Sequence, residues 1–218
     1  MESASGSSLR SAMRMVAAVA LTAGVLLLLL VVYLLVWTGH RTSAAQADLR
    51  TSFHAATTSG KTAGSGGGVA ILTVPALGAR WQWVVVEGTT DAALALGPGH
   101  FTGTALPGQI GNFAVAGHRA THGQPFAHLD KVHQGDRIYV ETAEGWFTYE
   151  VTWNRIVAAD TTSIVAPVAG HPETTATQST LTLVTCHPRW GSAERLVVGA
   201  RLIEKRDAAA GPPAGVRG

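Results

Sequence analysis

"LTLVTCHPRW", residues 181–190, contains the only cysteine of the 218-residue chain. Apolar and polar residues alternate up to Cys186, which is typical of a half-buried β-strand. Pro188 follows two positions later and prevents the strand from continuing undisturbed. We therefore expect Cys186 at the end of a strand, where a cleft would lie. Because a single cysteine forms no intramolecular disulfide, its role is either packing or reactivity.

The region between Val69 and Lys205 reads mainly as short strands separated by turn residues. The segments "RWQWVVVEG" (80–88), "FAVAGH" (113–118), "STLTLVTC" (179–186) and "RLVVGARLIE" (195–204) have the composition of strands. "DRIYVETAEGWFTYEVTWNRIV" (136–157) alternates on both sides of Glu144-Gly145, which predicts a hairpin. Short strands at this spacing predict an all-β barrel or sandwich.

Two further segments interrupt the strands. "TTDAALAL", residues 89–96, is the best candidate for a short helix, with Thr89 or Thr90 as its cap. The glycine- and proline-rich run "GPGHFTGTALPGQIGN", residues 97–112, is expected to be a turn-rich loop.

The N-terminal part contains a candidate membrane anchor. Residues 16–37, "VAAVALTAGVLLLLLVVYLLVW", carry no charge and would span roughly 33 Å as a helix. The alternative is a cleaved signal peptide, but its apolar region is usually only about 7 to 15 residues long. The small-residue triplet "AQA" at 45–47 lies well beyond the run. We predict an uncleaved signal anchor, and Arg10 and Arg14 before it favour a cytoplasmic segment over residues 1–15.

The remaining boundaries follow from composition. Residues 38–68 are rich in Ala, Ser, Thr and Gly and predict a flexible linker of roughly 30 Å, part of which could be helical. Residues 69–206 form the predicted β-domain, and residues 207–218 a disordered tail. The net charge of +2 and pI near 9.0 come without a basic stripe carrying interleaved aromatics, which argues against nucleic acid as a partner.

The surroundings of Cys186 favour reactivity over packing. His187, Arg189 and Arg195 lie close in sequence, and cationic neighbours favour a thiolate. A nucleophilic cysteine needs a histidine and a donor for the oxyanion. His118, at the predicted end of a strand, is the candidate histidine, although an ordinary loop role stays open. Arg195 begins the last strand and, being always protonated, could act only electrostatically; an exposed rim role is its alternative.

Three segments in this order carry a resemblance to a known family. "AGHR" (116–119), "TLVTC" (182–186) and "ERLVV" (194–198) resemble the signature segments of the sortases, the cysteine transpeptidases of Gram-positive cell surfaces. "TLVTC" fits the T-L-x-T-C pattern of the family. "GPGHF", "GTALPGQIGN" and "TCHPRWGSAERLVV" most resemble the class E, housekeeping-like sortases of actinobacteria. The resemblance covers about residues 69–204.

The resemblance implies a fold and a reaction. We expect an eight-stranded β-barrel with one or two short helices, preceded by a single transmembrane helix, with the catalytic domain outside the cell. Its groove would hold His118, Cys186 and Arg195 and bind a sorting signal of LPXTG or LAXTG type. Residues 103–112 and 169–179 would line that groove. The resemblance implies neither a cofactor nor a metal.

In the implied reaction, Cys186 attacks the Thr-Gly carbonyl and forms a thioacyl enzyme. His118 protonates the leaving amine and later deprotonates the amine of a peptidoglycan precursor resembling lipid II. Arg195 would stabilise the substrate and the oxyanion. Family members are usually described as reverse protonated, with thiolate and imidazolium as a minority form. Thr185 is a possible substrate contact, with a core or ladder role equally open.

The order of the residues argues against other cysteine enzymes. L,D-transpeptidases place a histidine just before the cysteine, and papain-like enzymes place the cysteine before the histidine in the chain; neither order occurs here. His118 and His122, followed by His128 and His133, suggest zinc, but the acidic residue of H-E-x-x-H is absent. The non-enzymatic alternative is a membrane-anchored β-domain that binds cell wall or a surface partner.

Overall fold

The structure is a computed structural model that describes residues 3–33, 37–59 and 67–216. The chain divides into two compact units, residues 1–38 and 39–218. The first unit contains helix α1, Ser3–Val32. Its segment Arg10–Val32, with a mean hydropathy of 2.9, is long and apolar enough to cross a membrane. This segment overlaps the predicted anchor, whose residues 34–36 lie outside the described residues, as do residues 1–2 of the predicted cytoplasmic segment.

The second unit is a closed eight-stranded β-barrel, which confirms the predicted all-β fold. The strands are β1 Gly68–Thr73, β2 Gln82–Glu87, β3 Gly99–His100, β4 Gly111–Ala116, β5 Arg137–Thr142, β6 Gly145–Ala158, β7 Ser179–His187 and β8 Glu194–Asp207. Around the barrel they follow the order β1-β2-β3-β4-β7-β8-β6-β5. The described residues of this unit also contain two α-helices. They are α2, Thr38–Thr58, whose first residue precedes the unit boundary, and α3, Asp91–Leu94.

Local sequence signals decide several elements. Strands β5 and β6 form the predicted hairpin, with Thr142 paired to Gly145 across its turn. Helix α3 is the predicted short helix, and the hydroxyl of Thr90 caps it by accepting a hydrogen bond from the Ala93 amide at 3.3 Å. The predicted loop over residues 97–112 was wrong at Gly99–His100, because this pair forms strand β3 between β2 and β4.

Alternation along β7 separates the barrel core from its outer face. Leu181 and Leu183 are fully buried in the main core inside the barrel. Val184 points to the other side and packs with Ile164 and Val197 in a second apolar cluster. Burial of these side chains stabilises both faces of the strand, so the partly exposed positions lie at its two ends, with Cys186 and His187 at the C-terminal one.

Helix α2 corrects the prediction of a flexible linker over residues 38–68. Phe53 is 3% exposed and packs against Ile71 and Val84. The Gln46 amide donates to the Val84 and Leu96 carbonyls at 3.0 and 2.9 Å and accepts from the Val84 amide at 2.8 Å. Together with Leu49, which packs on the same cluster, and Arg50, which donates to the Gln82 carbonyl at 3.1 Å, these contacts dock the helix on β2. Most of them are polar, so the sequence of the helix carries no sustained apolar stripe. Residues 60–66 lie outside the described residues.

The C-terminal segment also differs from its prediction as a disordered tail. Strand β8 extends to Asp207, and a 3-10 turn covers Ala208–Ala210. Pro213 is buried, and Gly215 lies so close to the Tyr139 ring that no Cβ would fit there. The segment therefore packs against β5 as far as it is described, and residues 217–218 lie outside the described residues.

Substituting Phe53→Ala tests whether α2 is part of the folded unit. We expect the free energy of unfolding of the detergent-solubilised chain to fall by about 3 kcal/mol, because a buried aromatic side chain is lost. Urea denaturation followed by tryptophan fluorescence measures this. The control is Ser52→Ala on the exposed side of the helix, which should change stability by less than about 0.5 kcal/mol. An equally small effect of Phe53→Ala would restore the flexible-linker interpretation.

Candidate active site

The site is built where three adjacent strands, β4, β7 and β8, end or begin. Strands β4 and β7 run parallel, in register from Gly111 with Ser179 to Ala116 with Val184. The Gly117 amide continues this pairing by donating to the Val184 carbonyl at 3.0 Å. Two residues beyond the last pair, His118 is therefore level with Cys186.

Strand β8 places Arg195 on the other side of Cys186. It runs antiparallel to β7, and Arg195 pairs directly with Cys186. Directly opposed residues share a face of the sheet. Since Leu181 and Leu183 face the barrel core, Cys186 and Arg195 belong to the outer face. The structure thus places the three residues predicted from the sequence in one row on neighbouring strands, with Cys186 in the middle.

His118 has a distinct environment. Its ring is half-buried and stacks on the ring of His122, with centroids 4.7 Å apart and an interplanar angle of 27°. Burial lowers the pKa of His118, and the nearby positive charge of His122 lowers this pKa further. Asp91 opposes both effects more weakly. The surroundings therefore favour the neutral imidazole of His118.

The backbone around His118 depends on a glycine. A Cβ on Gly117 would lie 2.6 Å from the ring of Phe126, closer than carbon atoms approach in proteins. The Phe126 amide also donates to the His118 carbonyl at 3.1 Å. Phe126 is fully buried, so this contact fixes the path of the chain as it leaves β4.

Arg195 is held by its own loop. Its Nη1 donates to the carbonyls of Ser192 and Glu194, each at 2.9 Å. Within the described residues, no hydrogen bond links the side chains of His118, Cys186 and Arg195. The arrangement offers a partly exposed thiol, an imidazole and a permanent cation side by side, which is the set that nucleophilic acyl transfer requires.

The Thr185 hydroxyl takes part in the strand ladder. The side chain is 2% exposed, and its hydroxyl donates to the Gly117 carbonyl at 2.7 Å. The role of Thr185 in substrate contact stays a prediction. Thr185 ties the end of β4 to β7 beside the candidate nucleophile.

The outer face next to the row is covered by the segment between β6 and β7. Ile164 packs on Val184 and Val197, and the Asn112 amide donates to the carbonyls of Ile164 and Ala166 at 3.1 and 3.0 Å. A cavity of about 360 Å³ lies against this segment and is lined by both Val165 and the residues around 103–112. Ala169, His171 and residues 174–178 line another cavity of about 470 Å³, together with residues of β6, β7 and β8.

The comparisons with known proteins agree with this geometry. A family model described as "Sortase domain" matches residues 72–203. Sortase SrtE1 of Streptomyces coelicolor is 33% identical over 214 residues, covering 93% of this chain and 60% of SrtE1. This chain belongs to the sortase family. As a sortase it spans less than two thirds of the length of that relative.

Solved structures support the same class. The sortase is 36% identical to sortase E of Streptomyces avermitilis, with a TM-score of 0.62 over 69% of this chain and 97% of that one. Sortase E1 of Streptomyces coelicolor, solved with a tripeptide in its active site, gives a TM-score of 0.64 at 32% identity, covering 72% of this chain and 99% of that one. The predicted resemblance to class E sortases is confirmed.

Sequence reasoning missed Arg119, which directly follows His118. Its side chain is 7% exposed and reaches the carbonyl of Cys186, the ring of His187 and the carboxylate of Asp130. Its place in "AGHR" was visible, but its burial depends on the fold. Among the described residues of this sortase, no group of three His, Cys, Asp or Glu side chains is placed to hold a metal ion.

Substituting His122→Gln tests the electrostatic environment of His118. Loss of the neighbouring positive charge should raise the pKa of His118, because the imidazolium form is then less disfavoured. A pH titration of the His118 ring protons by NMR, assigned with His118→Gln, measures this. His133→Gln, at an exposed position, is the control and should leave the pKa unchanged. An unchanged or lowered pKa in His122→Gln would contradict the described environment.

Proposed function

We propose that this sortase is a membrane-anchored cysteine transpeptidase. It cleaves a sorting signal of LPXTG or LAXTG type between Thr and Gly and transfers the new carboxyl end to an amine of a cell-wall precursor. The observation that carries the proposal is the row of His118, Cys186 and Arg195 on the outer face of three neighbouring strands. Membership of the sortase family supports it.

The first half-reaction forms a thioacyl enzyme. The Cys186 thiolate attacks the threonine carbonyl carbon, and the carbonyl oxygen becomes an oxyanion. As the tetrahedral intermediate collapses, the Thr–Gly C–N bond breaks and the glycine amine takes a proton from the His118 imidazolium. The products are the thioester at Cys186, the released glycine-bearing peptide and neutral His118.

The second half-reaction transfers the acyl group. The precursor amine attacks the thioester carbon while His118 accepts the proton that the amine loses. The C–S bond then breaks, an amide is formed, and the Cys186 thiolate and the His118 imidazolium are regenerated. The same imidazole thus acts as acid and then as base, which requires it to remain beside the sulfur throughout.

Arg195 supplies electrostatic stabilisation. Its Nη1 is engaged by loop carbonyls, so Nε and Nη2 are the groups left to donate to a substrate. A guanidinium stays protonated in proteins and can donate to an oxyanion without changing its charge state. The loop bonds hold it in place before the substrate arrives, as electrostatic preorganisation requires.

The lowered pKa of His118 limits the fraction of the enzyme that carries the imidazolium needed for catalysis. Burial and the charge of His122 favour neutral His118, so a thiolate–imidazolium pair would be a minority of the enzyme near neutral pH. This agrees with the reverse protonation described for the family.

The substrate is a peptide in an extended conformation on the outer face. The cavity bounded by Val165 and residues around 103–112 lies at the start of β4 and is available for residues that precede the scissile bond. A tripeptide occupies the active site of Sortase E1 of Streptomyces coelicolor, which supports a peptide substrate here. Helix α1 anchors the enzyme in the membrane, with the barrel on the extracytoplasmic side, where secreted substrates and lipid-linked acceptors are found.

Removing each residue of the row should abolish turnover. We expect Cys186→Ala and His118→Ala to reduce cleavage of an LAXTG-type peptide by about a thousandfold or more. Arg195→Ala should cost about 10²- to 10³-fold, the usual cost of losing an oxyanion donor. Peptide cleavage followed by liquid chromatography measures the rates, with exposed Arg201→Ala as the matched arginine control. Normal turnover by Cys186→Ala would end the transpeptidase proposal.

Thiol reactivity separates the enzyme from a non-catalytic binding domain. Because Cys186 is the only cysteine, one equivalent of iodoacetamide should label the folded protein at neutral pH. Intact mass spectrometry counts the adduct, and labelling should block peptide cleavage in the same sample. A thiol that reacts only after denaturation would instead favour the anchored β-domain that binds cell wall or a surface partner.

A further inference from the structure

Arg119 is a buried cation beside the proposed nucleophile. Its side chain is 7% exposed although it follows His118 on the outer rim of the barrel. Burying a permanent charge is unfavourable unless the charge is paired and hydrogen-bonded. Its Nε is buried without a hydrogen-bond partner among the described residues, which adds to this cost. The contacts of its two terminal nitrogens therefore matter.

The two terminal nitrogens bind different segments. Nη2 donates to the Asp130 carboxylate at 2.8 Å, in the 3-10 turn Leu129–Lys131. Nη1 donates to Nδ1 of His187 at 2.8 Å and to the carbonyl of Cys186 at 3.4 Å. The guanidinium thus contacts the candidate nucleophile's own backbone and the residue that follows it.

These contacts lie beyond the regular β4–β7 ladder. The last paired residues are Ala116 and Val184, and past them the Gly117 backbone is tied to β7 by the bonds already described. His118 itself has no side-chain hydrogen bond among the described residues. Arg119 supplies the next connection, because it joins the residue after His118 to the carbonyl of Cys186.

Asp130 binds the Nη2 side of the Arg119 guanidinium, and we call the set of contacts from Arg119 to Asp130, His187 and the Cys186 carbonyl the clamp. Burial is the largest single influence on the pKa of Asp130 and raises it, but the hydrogen bond from Arg119, a backbone hydrogen bond and the charge of Arg119 act together and lower the pKa of that carboxyl overall. The ion pair therefore persists at neutral pH, and the planar guanidinium is fixed at both ends. His187 accepts through Nδ1 from a donor that is always protonated, so its own proton is held on Nε2.

We propose that Arg119 is a positioning residue that holds His118 beside Cys186, through the Asp130 ion pair on one side and the end of β7 on the other. This inference rests on the proposed function, because the alignment matters for the transfer of a proton between His118 and the substrate amine. Misplacement of a reacting group by about 1 Å can cost a hundredfold in rate. Arg119 itself touches no reacting atom in this scheme.

Steady-state kinetics of the full-length chain in lipid nanodiscs test the proposal. We expect Arg119→Gln to lower kcat for an LAXTG-type peptide about a hundredfold while KM stays within about threefold, since alignment rather than binding is lost. Arg119→Lys keeps the positive charge but not the planar guanidinium that bonds two segments at once, so its kcat should lie between the values of wild type and Arg119→Gln. The matched control is Arg137→Gln, which replaces an exposed arginine on β5. This variant should have the kcat of the wild type.

A second measurement reads the geometry without any turnover. The single cysteine allows a nitroxide to be attached at Cys186 through a disulfide, and paramagnetic relaxation of the His118 ring protons then reports their distance from the label. The relaxation should change in Arg119→Gln and remain at the wild-type value in Arg137→Gln. Thermal unfolding of each variant, measured in parallel, shows that the assays are run on folded protein.

The outcomes are distinguishable. Wild-type kcat in Arg119→Gln, or lost activity with unchanged His118 relaxation, would overturn the positioning role. If Arg119→Gln does not fold, Asp130→Asn is used in its place, because the Asp130 side chain is 53% exposed. Asp130→Asn should lower kcat about tenfold, with a smaller change in the His118 relaxation than in Arg119→Gln. Wild-type kcat together with wild-type relaxation in Asp130→Asn would overturn the positioning role of Arg119. If the wild type transfers no acyl group while the His118 relaxation still responds to Arg119→Gln, the clamp stands and the proposed reaction fails.

Discussion

The parallel register between β4 and β7 is the constraint on which the site depends. His118 and Cys186 are 68 positions apart in the chain, and the pairing of Ala116 with Val184 makes them neighbours. A shift of one residue would turn one of the two side chains toward the barrel core, because side chains alternate between the faces of a strand. The antiparallel pairing of β7 with β8 then adds Arg195 to the same row.

Beyond the last paired residues of β4 and β7, polar contacts keep the two chain segments together. The hydroxyl of Thr185 binds the Gly117 carbonyl, and Arg119 binds the carbonyl of Cys186. Buried polar groups cost free energy unless they are hydrogen-bonded. Of these two side chains, only Nε of Arg119 lacks a partner among the described residues. A rim made only of apolar contacts would not fix the orientation of an imidazole in the same way.

Alternation and turn residues are local signals, and they predicted an all-β barrel or sandwich, which the resemblance to the sortases narrowed to an eight-stranded barrel. Positions at strand ends made Cys186, His118 and Arg195 the candidate site residues. Sequence reasoning missed elements whose stability comes from distant contacts. Helix α2 depends on Gln46, whose amide bonds the backbone of β2, and a glutamine in an alanine-rich segment carries no such signal. Arg119 was missed for the same reason, since an arginine after a strand is usually solvated.

Chemical bridging tests the register most directly. In a His118→Cys variant the new thiol would face Cys186, the only other cysteine, across one strand spacing of about 4.8 Å. A bifunctional thiol reagent that fluoresces only after both arms have reacted should then give one fluorescent, internally bridged adduct per folded chain. His133→Cys, placed in an exposed loop, should give none. Absence of bridging in His118→Cys, with both thiols singly alkylated, would contradict the account.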